Sequence, residues 1–252
     1  MPRSLLKLLF ASAAFISLAA CSTLENPDGT EIQAAINAPE RSAEHAARDA
    51  GRMPARVIAF SGVDRGDKIV EIAPASGYYT AILSRVVGPD GHIYGIGPER
   101  LFDVFANAQN TFPDYMARDP RPNVTYSTAK LDEVILPNNV DQVWMVLYYH
   151  DTYWTGENRG EMNKRFYDAL RPGGVYYVID HAGPIDADQD ITKSLHRLET
   201  RPALAEIQAA GFRLEAESVL LRNADDPRDT SVFDKNWRGR TDRVIWKFVK
   251  PR

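Results

Sequence analysis

The stretch Lys68-Ile69-Val70-Glu71-Ile72-Ala73-Pro74-Ala75-Ser76-Gly77-Tyr78-Tyr79-Thr80 decides how this chain folds. Its first five residues are a short apolar run suited to a β-strand. Small residues follow, which let a backbone turn tightly and let a ligand approach it closely. From residue 79 to 87 the apolar residues recur at helical spacing. A strand, a small-residue turn and a helix in that order form the unit over which open α/β sheets hold ligands, at the carboxyl end of the strand.

Working outward, the same alternation repeats. Residues 92–96 (HIYGI) read as a second strand and residues 101–110 as a helix, with a short strand at 124–127. The run QVWMVLYY at 142–149 suits a strand buried on both faces. A helix over 160–170 is stopped by Arg171-Pro172-Gly173-Gly174, and VYYVI at 175–179 is a fifth strand. Residues 190–210 read as largely helical, with Pro202 forcing a break. Strands at 212–221 and 243–249 close the chain, joined by an unusually long polar loop, the kind that is often functional. Toward the N-terminus, Ser42 caps an Ala-rich helix over 42–50, and Pro54 opens a second short helix. Strand–helix repeats give a parallel sheet with helices on both faces; two final strands without a helix give an antiparallel edge.

These landmarks resemble class I S-adenosylmethionine (SAM) methyltransferases. The turn at 71–80, Gly88-Pro89-Asp90-Gly91 before strand two, Asp141-Gln142-Val143 entering strand four, Leu170-Arg171-Pro172-Gly173-Gly174 and Ala210-Gly211-Phe212 stand in that family's order. The turn Pro74-x-x-Gly77-Tyr78-Tyr79-Thr80 is similar to that of a group of bacterial predicted methyltransferases, some of them exported. The resemblance implies a Rossmann-like α/β fold with a seven-stranded sheet and SAM as cofactor. It places Glu71, Ala73, Ser76, Gly77 and Tyr78 at the cofactor, and makes Asp132 the candidate for the adenine side. Two departures stand out: Ala73 and Ala75 occupy positions usually held by glycine, and Gly97 stands where an acidic residue usually meets the ribose. Ala is penalised wherever φ must be positive.

The ends of strands four and five carry the remaining candidate chemistry. His150 and Asp151 close one, Asp180 and His181 the other. A histidine beside a carboxylate can take a proton from an acceptor, so His150, Asp151 and His181 are candidate catalytic residues, with His150 foremost as general base. The same residues also suit the hydration of a strand end. His196, in the expected helical stretch, has the spacing to face His181. The acidic run Asp186, Asp188 and Asp190 lacks calcium-loop spacing, so no metal is expected.

Residues 1–20 read as a signal peptide: Arg3 and Lys7 precede an apolar run over 8–20, shorter than the ~20 residues a membrane span needs. Leu18-Ala19-Ala20-Cys21 looks like a bacterial lipobox, making Cys21 the lipidation site and the membrane anchor; it is also the only cysteine, so no disulfide framework is available. Residues 21–40 read as a tether and 41–252 as the methyltransferase-like domain. Lipid attachment implies the periplasmic side of the envelope, and Ser22 leans toward the outer membrane. A net charge of −4 gives no footprint for nucleic acid. Three functions remain open on these residues: SAM-dependent methylation of a small molecule or envelope component; a non-catalytic envelope lipoprotein using the fold to bind a ligand or protein; and, ranked last, cofactor-independent chemistry that keeps the pocket and His150. An open space above 73–78 favours the first, and a space filled by Tyr78, Tyr79 or Pro98 favours the second.

Overall fold

The structure is a computed structural model that describes residues 29–252. The signal peptide, Cys21 and the first part of the expected tether lie outside the described residues. No described helix is long and apolar enough to cross a membrane.

The seven-stranded sheet runs β3-β2-β1-β4-β5-β7-β6, with β1 Lys68–Ile72, β2 His92–Pro98, β3 Val124–Ala129, β4 Val140–Val146, β5 Leu170–His181, β6 Arg213–Ser218 and β7 Arg243–Val249. The first five are parallel and β7 pairs antiparallel with both β5 and β6. This is the expected Rossmann-like methyltransferase sheet. Its chain order reverses between β1 and β4, so the crevice at their carboxyl ends is where such folds hold ligands.

Two apolar layers sandwich the sheet. On one face Ile69, Trp144, Tyr177 and Ile245 meet α1 (Gly29–Ile36), α4 (Pro54–Ser61) and α5 (Tyr78–Val87). On the other, Val70, Val143, Tyr176 and Phe248 meet α8 (Arg159–Ala169) and α10 (Thr200–Ala209). The alternation along each strand feeds both layers, as a doubly covered sheet requires.

Several boundaries differ from the expectation. Residues 29–36, expected within the tether, form α1, and Ile32, Ala35 and Ile36 are buried in the core. Ile32, Ala35 and Ile36 stand at helical spacing, but the turn signal Asn26-Pro27-Asp28-Gly29 just before them reads as the start of a tether. The expected helix at 42–50 is two short ones, α2 (Ala43–Ala46) and α3 (Asp49–Arg52). β4 ends at Val146 because Leu147 turns left-handed at φ 57°, after which Tyr149–Tyr153 is a 3-10 turn. The helical stretch after β5 breaks at 195–199, between α9 (Ile191–Ser194) and α10, and Pro202 sits in the first turn of α10, where its missing N–H breaks no helical bond. His196 therefore lies outside a helix, at φ 53°.

Candidate active site

β1 delivers Glu71 and Ile72 to the crevice, and the chain then turns left-handed twice, at Ala73 (φ 52°) and Ala75 (φ 48°), before Gly77 (φ 76°) starts α5. The backbone thus takes the glycine-type turn of the family with two alanines in it. Left-handed alanine is strained by ~1–2 kcal/mol per residue, a load typical of ligand-binding turns. The turn is held by Ala73 N–H on the Ile96 carbonyl (2.9 Å) and Gly77 N–H on the Pro74 carbonyl (2.8 Å). Gly77 is doubly constrained, because a Cβ there would lie 2.3 Å from the Tyr115 ring.

A cavity of about 210 Å³ lies over this turn, walled by Glu71, Ala73, Ala75, Ser76, Tyr78 and, across the crevice, Leu147, Tyr148 and Asp151. Tyr78 and Tyr79 line it without filling it. The Tyr78 hydroxyl donates to Asp49 (2.6 Å), and the Tyr79 ring packs on Trp144 with centroids 5.5 Å apart. Glu71 is 4 % exposed and accepts a hydrogen bond from the Thr80 hydroxyl (2.6 Å). Burial pushes its carboxyl up to about 7, with the Thr80 bonds pulling the other way. Ser76 is clasped from above: its carbonyl pairs with His45 Nε2 (2.9 Å) and its hydroxyl accepts from Arg48 (3.2 Å). Arg52 stacks over the Tyr78 ring at 4.4 Å. α2 and α3 therefore roof the turn.

An adjoining slot of about 80 Å³ shares Ala73, Pro74, Ala75 and Leu101 with this cavity and continues past Gly97 and Pro98 to Phe112 and Tyr126. It explains Gly97: a Cβ at this position would lie 2.1 Å from the Tyr126 hydroxyl oxygen and 2.9 Å from Phe102. Aromatic walls here occupy the place of the family's ribose carboxylate. Glu99 begins α6 (Glu99–Val104) and accepts from Thr128 (3.3 Å). Asp132 is outside both spaces. Its two oxygens accept from Arg100 (2.8 and 2.9 Å), and one also takes Asn158 N–H (2.9 Å), so it anchors a loop and lines neither space. Asp132 follows β3 closely in sequence, but the arginine that claims it lies 32 residues earlier.

Between β4 and β5 the histidines separate into two electrostatic states. Asp180, fully buried, accepts from His150 N–H (2.8 Å), His150 Nδ1 (2.7 Å) and His181 N–H (2.7 Å). His150 Nε2 lies 3.2 Å from Asp151. Burial alone would discharge His150, but the Asp180 and Asp151 carboxylates outweigh it and raise the imidazole to about 10. Burial likewise pushes Asp151 up, and the His150 and His196 contacts overcome that to leave it at about 2. A charged imidazole has no lone pair to accept a proton, which revises the general-base role expected of His150. His196 Nδ1 also meets Asp151 (3.2 Å), and the ligand atoms of His150, Asp151 and His196 lie within 4.8 Å of one another. Trp154 donates to the same Asp151 oxygen (3.0 Å), completing a hydrogen-bonded cluster.

His181 is the opposite case. Burial, followed by the positive charge of His150, Arg243 and Arg197, holds it well below the ordinary histidine value. Its Nδ1 pairs with the Thr241 hydroxyl (2.7 Å), which leaves Nε2 as the lone-pair nitrogen when Nδ1 carries the proton. His181 lines a second, larger cavity of about 720 Å³, which shares Arg48, Arg52 and Leu147 with the first. Leu147, in its strained left-handed conformation, stands at the junction of the two. Arg238, Arg240 and Arg243 of this second cavity lie close together in the sequence, a local cluster masked by the overall net charge of −4.

Residues 30–127 match the family model "Protein-L-isoaspartate(D-aspartate) O-methyltransferase (PCMT)", a match that begins in α1. A protein-L-isoaspartate O-methyltransferase of Ignicoccus hospitalis is 40% identical over 60 residues, covering 24% of this chain and 28% of that protein. A ubiquinone/menaquinone biosynthesis C-methyltransferase of Pasteurella multocida is 24% identical over 189 residues, covering 70% of this chain and 64% of its relative. The chain thus spans less than two thirds of the length of either relative. Among solved structures, a SAM-dependent methyltransferase from Aquifex aeolicus superposes with a TM-score of 0.57 at 15% identity, covering 88% of this chain and 98% of that one. The [4+2]-cyclase SpnF does so with 0.58 at 15%, covering 80% and 81%. Together these similarities support SAM as the cofactor of this fold, and the cyclase is a reminder that fold alone does not set the reaction. The chain carries the class I SAM-dependent methyltransferase fold, with sequence similarity to methyltransferases along most of the described residues.

Proposed function

We propose that the chain is a SAM-dependent methyltransferase acting on a small molecule, with the cofactor over the turn at 71–79 and the acceptor in the larger cavity beside it. One observation carries this reading: two cavities meet at Leu147, at the switch point of the sheet, one over the methyltransferase turn and one lined by His181. The residues present fit the cofactor. The cavity and its adjoining slot together approach the lower end of the ~300–1,000 Å³ of small-molecule sites. Glu71 supplies a carboxylate at one end, the backbone of Ala73 to Ser76 passes beneath, and the apolar slot by Pro98, Phe112 and Tyr126 takes a flat ring at the other.

When bound, SAM supplies a methyl group on a positively charged sulfur. The protein's own contribution is placement and proton handling. Arg48, Arg52 and Leu147 border both cavities and so set the approach of acceptor to cofactor. His181 Nε2 takes the proton that a hydroxyl or amine acceptor loses. His150, charged and pinned by Asp180, holds the ends of β4 and β5 together behind it. The second reading, a binding protein without catalysis, would be favoured by a turn filled by Tyr78, Tyr79 or Pro98; the open space above the turn favours the enzyme.

The lipobox-like Leu18-Ala19-Ala20-Cys21 supports a further part of the proposal, that the enzyme is tethered by lipid on Cys21 to the periplasmic side of the envelope. Labelling cells with a palmitate analogue should mark the protein, and Cys21→Ser should abolish the label; persistence of the label in that variant would refute the anchor. For the enzyme itself, calorimetric titration should show micromolar SAM binding to the folded protein and its loss in Glu71→Ala. Absence of heat up to millimolar SAM would overturn the reading.

A further inference from the structure

Among the described residues, the buried arginines Arg197 and Arg243 are treated in different ways. Arg197 is fully buried and bonds to Asp226 through both terminal nitrogens (2.9 and 3.0 Å), the usual way to carry a guanidinium into a protein interior. Arg243 is 5 % exposed, yet its hydrogen bonds go to the Gly51 carbonyl (2.6 Å) and the Thr241 carbonyl (3.3 Å). Among the described residues no carboxylate lies within ion-pair distance of it. A buried charge with only carbonyl partners is costly unless something else supplies the counter-charge.

Arg243 faces the larger cavity. It opens β7 and pairs in register with His181 on β5, so guanidinium and neutral imidazole share one floor. Arg48, Arg52, Arg238 and Arg240 stand around the same space, and no acidic residue lines it. Of these, only Arg48 has a carboxylate partner among the described residues, the exposed Glu44. The remaining wall is apolar, made of Leu147, Val232 and the exposed ring of Phe233. The long loop that brings Val232 to Arg240 is itself fixed: Val232 N–H bonds to the Leu195 carbonyl (3.1 Å), and Arg197 grips the Thr230 carbonyl (2.7 Å). Arg243 is thus fixed in the floor, while Arg238 and Arg240 stand exposed at the rim on a loop whose base is anchored.

We propose that this cavity is an oxyanion site, and that the methyl acceptor is a small molecule carrying a carboxylate or phosphate on an apolar body. The negative group meets Arg243 together with Arg238 and Arg240, and the body lies along Val232 and Phe233. Guanidinium forks suit both oxyanions through paired N–H donors. This inference rests on the larger cavity being the acceptor chamber, and the SAM site stands or falls by a separate measurement.

The test uses the full chain with S-adenosylhomocysteine, phenyl phosphate, benzoate and the uncharged benzyl alcohol, titrated calorimetrically at low salt. The expected result is that one or both anions bind at least about tenfold more tightly than benzyl alcohol, and that raising salt weakens them. Arg243→Met and, on the loop, Arg238→Ala should each weaken the anion about fivefold or more while S-adenosylhomocysteine affinity stays unchanged. Arg238→Ala guards against a folding defect in Arg243→Met. Preference between phenyl phosphate and benzoate identifies the oxyanion. Equal binding of anions and alcohol, anion binding indifferent to both variants, or no anion binding up to about 20 mM would overturn the proposal. If S-adenosylhomocysteine binds and the anions do not, only this proposal fails. If the anions bind through the arginines and S-adenosylhomocysteine does not, the methyltransferase reading fails instead.

Discussion

Replacing Ala73 and Ala75 together by glycine should make the protein more stable, against the usual direction of such changes. Both residues sit at positive φ, 52° and 48°. An L-residue there is disfavoured by ~1–2 kcal/mol relative to a conformation it prefers, and glycine escapes that penalty. Glycine also frees the unfolded chain, which offsets ~0.4–1 kcal/mol of the gain at each site. The balance is roughly 0.5–1 kcal/mol per site, or about 1–2 kcal/mol for the pair if the two add. For a chain of this size that raises the melting temperature by roughly 2–8 °C. Denaturant unfolding with an unchanged slope would confirm that the native state, and not the compactness of the unfolded one, is responsible. Ala81→Gly is the contrast: Ala81 is fully buried within α5 in a right-handed helix, and that change should lose about 1 kcal/mol or more. If Ala73→Gly/Ala75→Gly proved no more stable than the parent, or less, the left-handed turn that places the cofactor site would be wrong.

Other consequences follow from the buried charges. Nitrogen NMR should find His150 doubly protonated up to about pH 9, consistent with a value near 10, and His181 still neutral in acid that would protonate an ordinary histidine; interchanged states would refute the division of roles between them. Asp180→Asn leaves the His150 imidazolium without its main partner and should cost about 3–5 kcal/mol in chemical denaturation, whereas a loss under about 1 kcal/mol would show the pair to be unimportant. Glu71 holds its proton more tightly folded, at about 7, than at its ordinary 4.5, so its contribution is complete below about pH 4.5 and is lost as pH rises through 7. Glu71→Gln should therefore leave stability at pH 4.5 nearly unchanged and raise it at pH 8 by as much as roughly 3 kcal/mol; an equal effect at both pH values would contradict the buried position of the carboxylate.

The fold was legible because its signals are local and repeated. KIVEI, HIYGI, QVWMVLYY and VYYVI each declare a strand by composition, and the glycine and proline punctuation between them sets the order. The turn at 71–80 placed the first cavity correctly, and the penalty expected of Ala73 and Ala75 takes physical form in their φ angles. What stayed hidden depends on pairing across the chain. Asp132 looked available until Arg100, far away in sequence, took both its oxygens. His150 looked like a base because sequence shows one neighbouring carboxylate, Asp151, and not the second, Asp180, that reaches it from the next strand. Gly97 looked like a lost contact, and it is the residue that admits the Tyr126 hydroxyl. The arginine-lined cavity draws on positions near 50, at 181 and near 240: the β5–β7 pairing sets His181 beside Arg243, and the Arg243 hydrogen bond to the Gly51 carbonyl joins the segment near 50 to them.

The most direct test of the account is a crystal structure of the protein grown with S-adenosylhomocysteine. The account predicts the ligand over the turn at 71–79, its amino-acid end toward Glu71, its base in the slot by Pro98 and Tyr126, and its sulfur facing Leu147 and the arginine-lined cavity. A ligand seated elsewhere, or a protein that excludes it with Tyr78 or Tyr79 folded across the turn, would contradict the account.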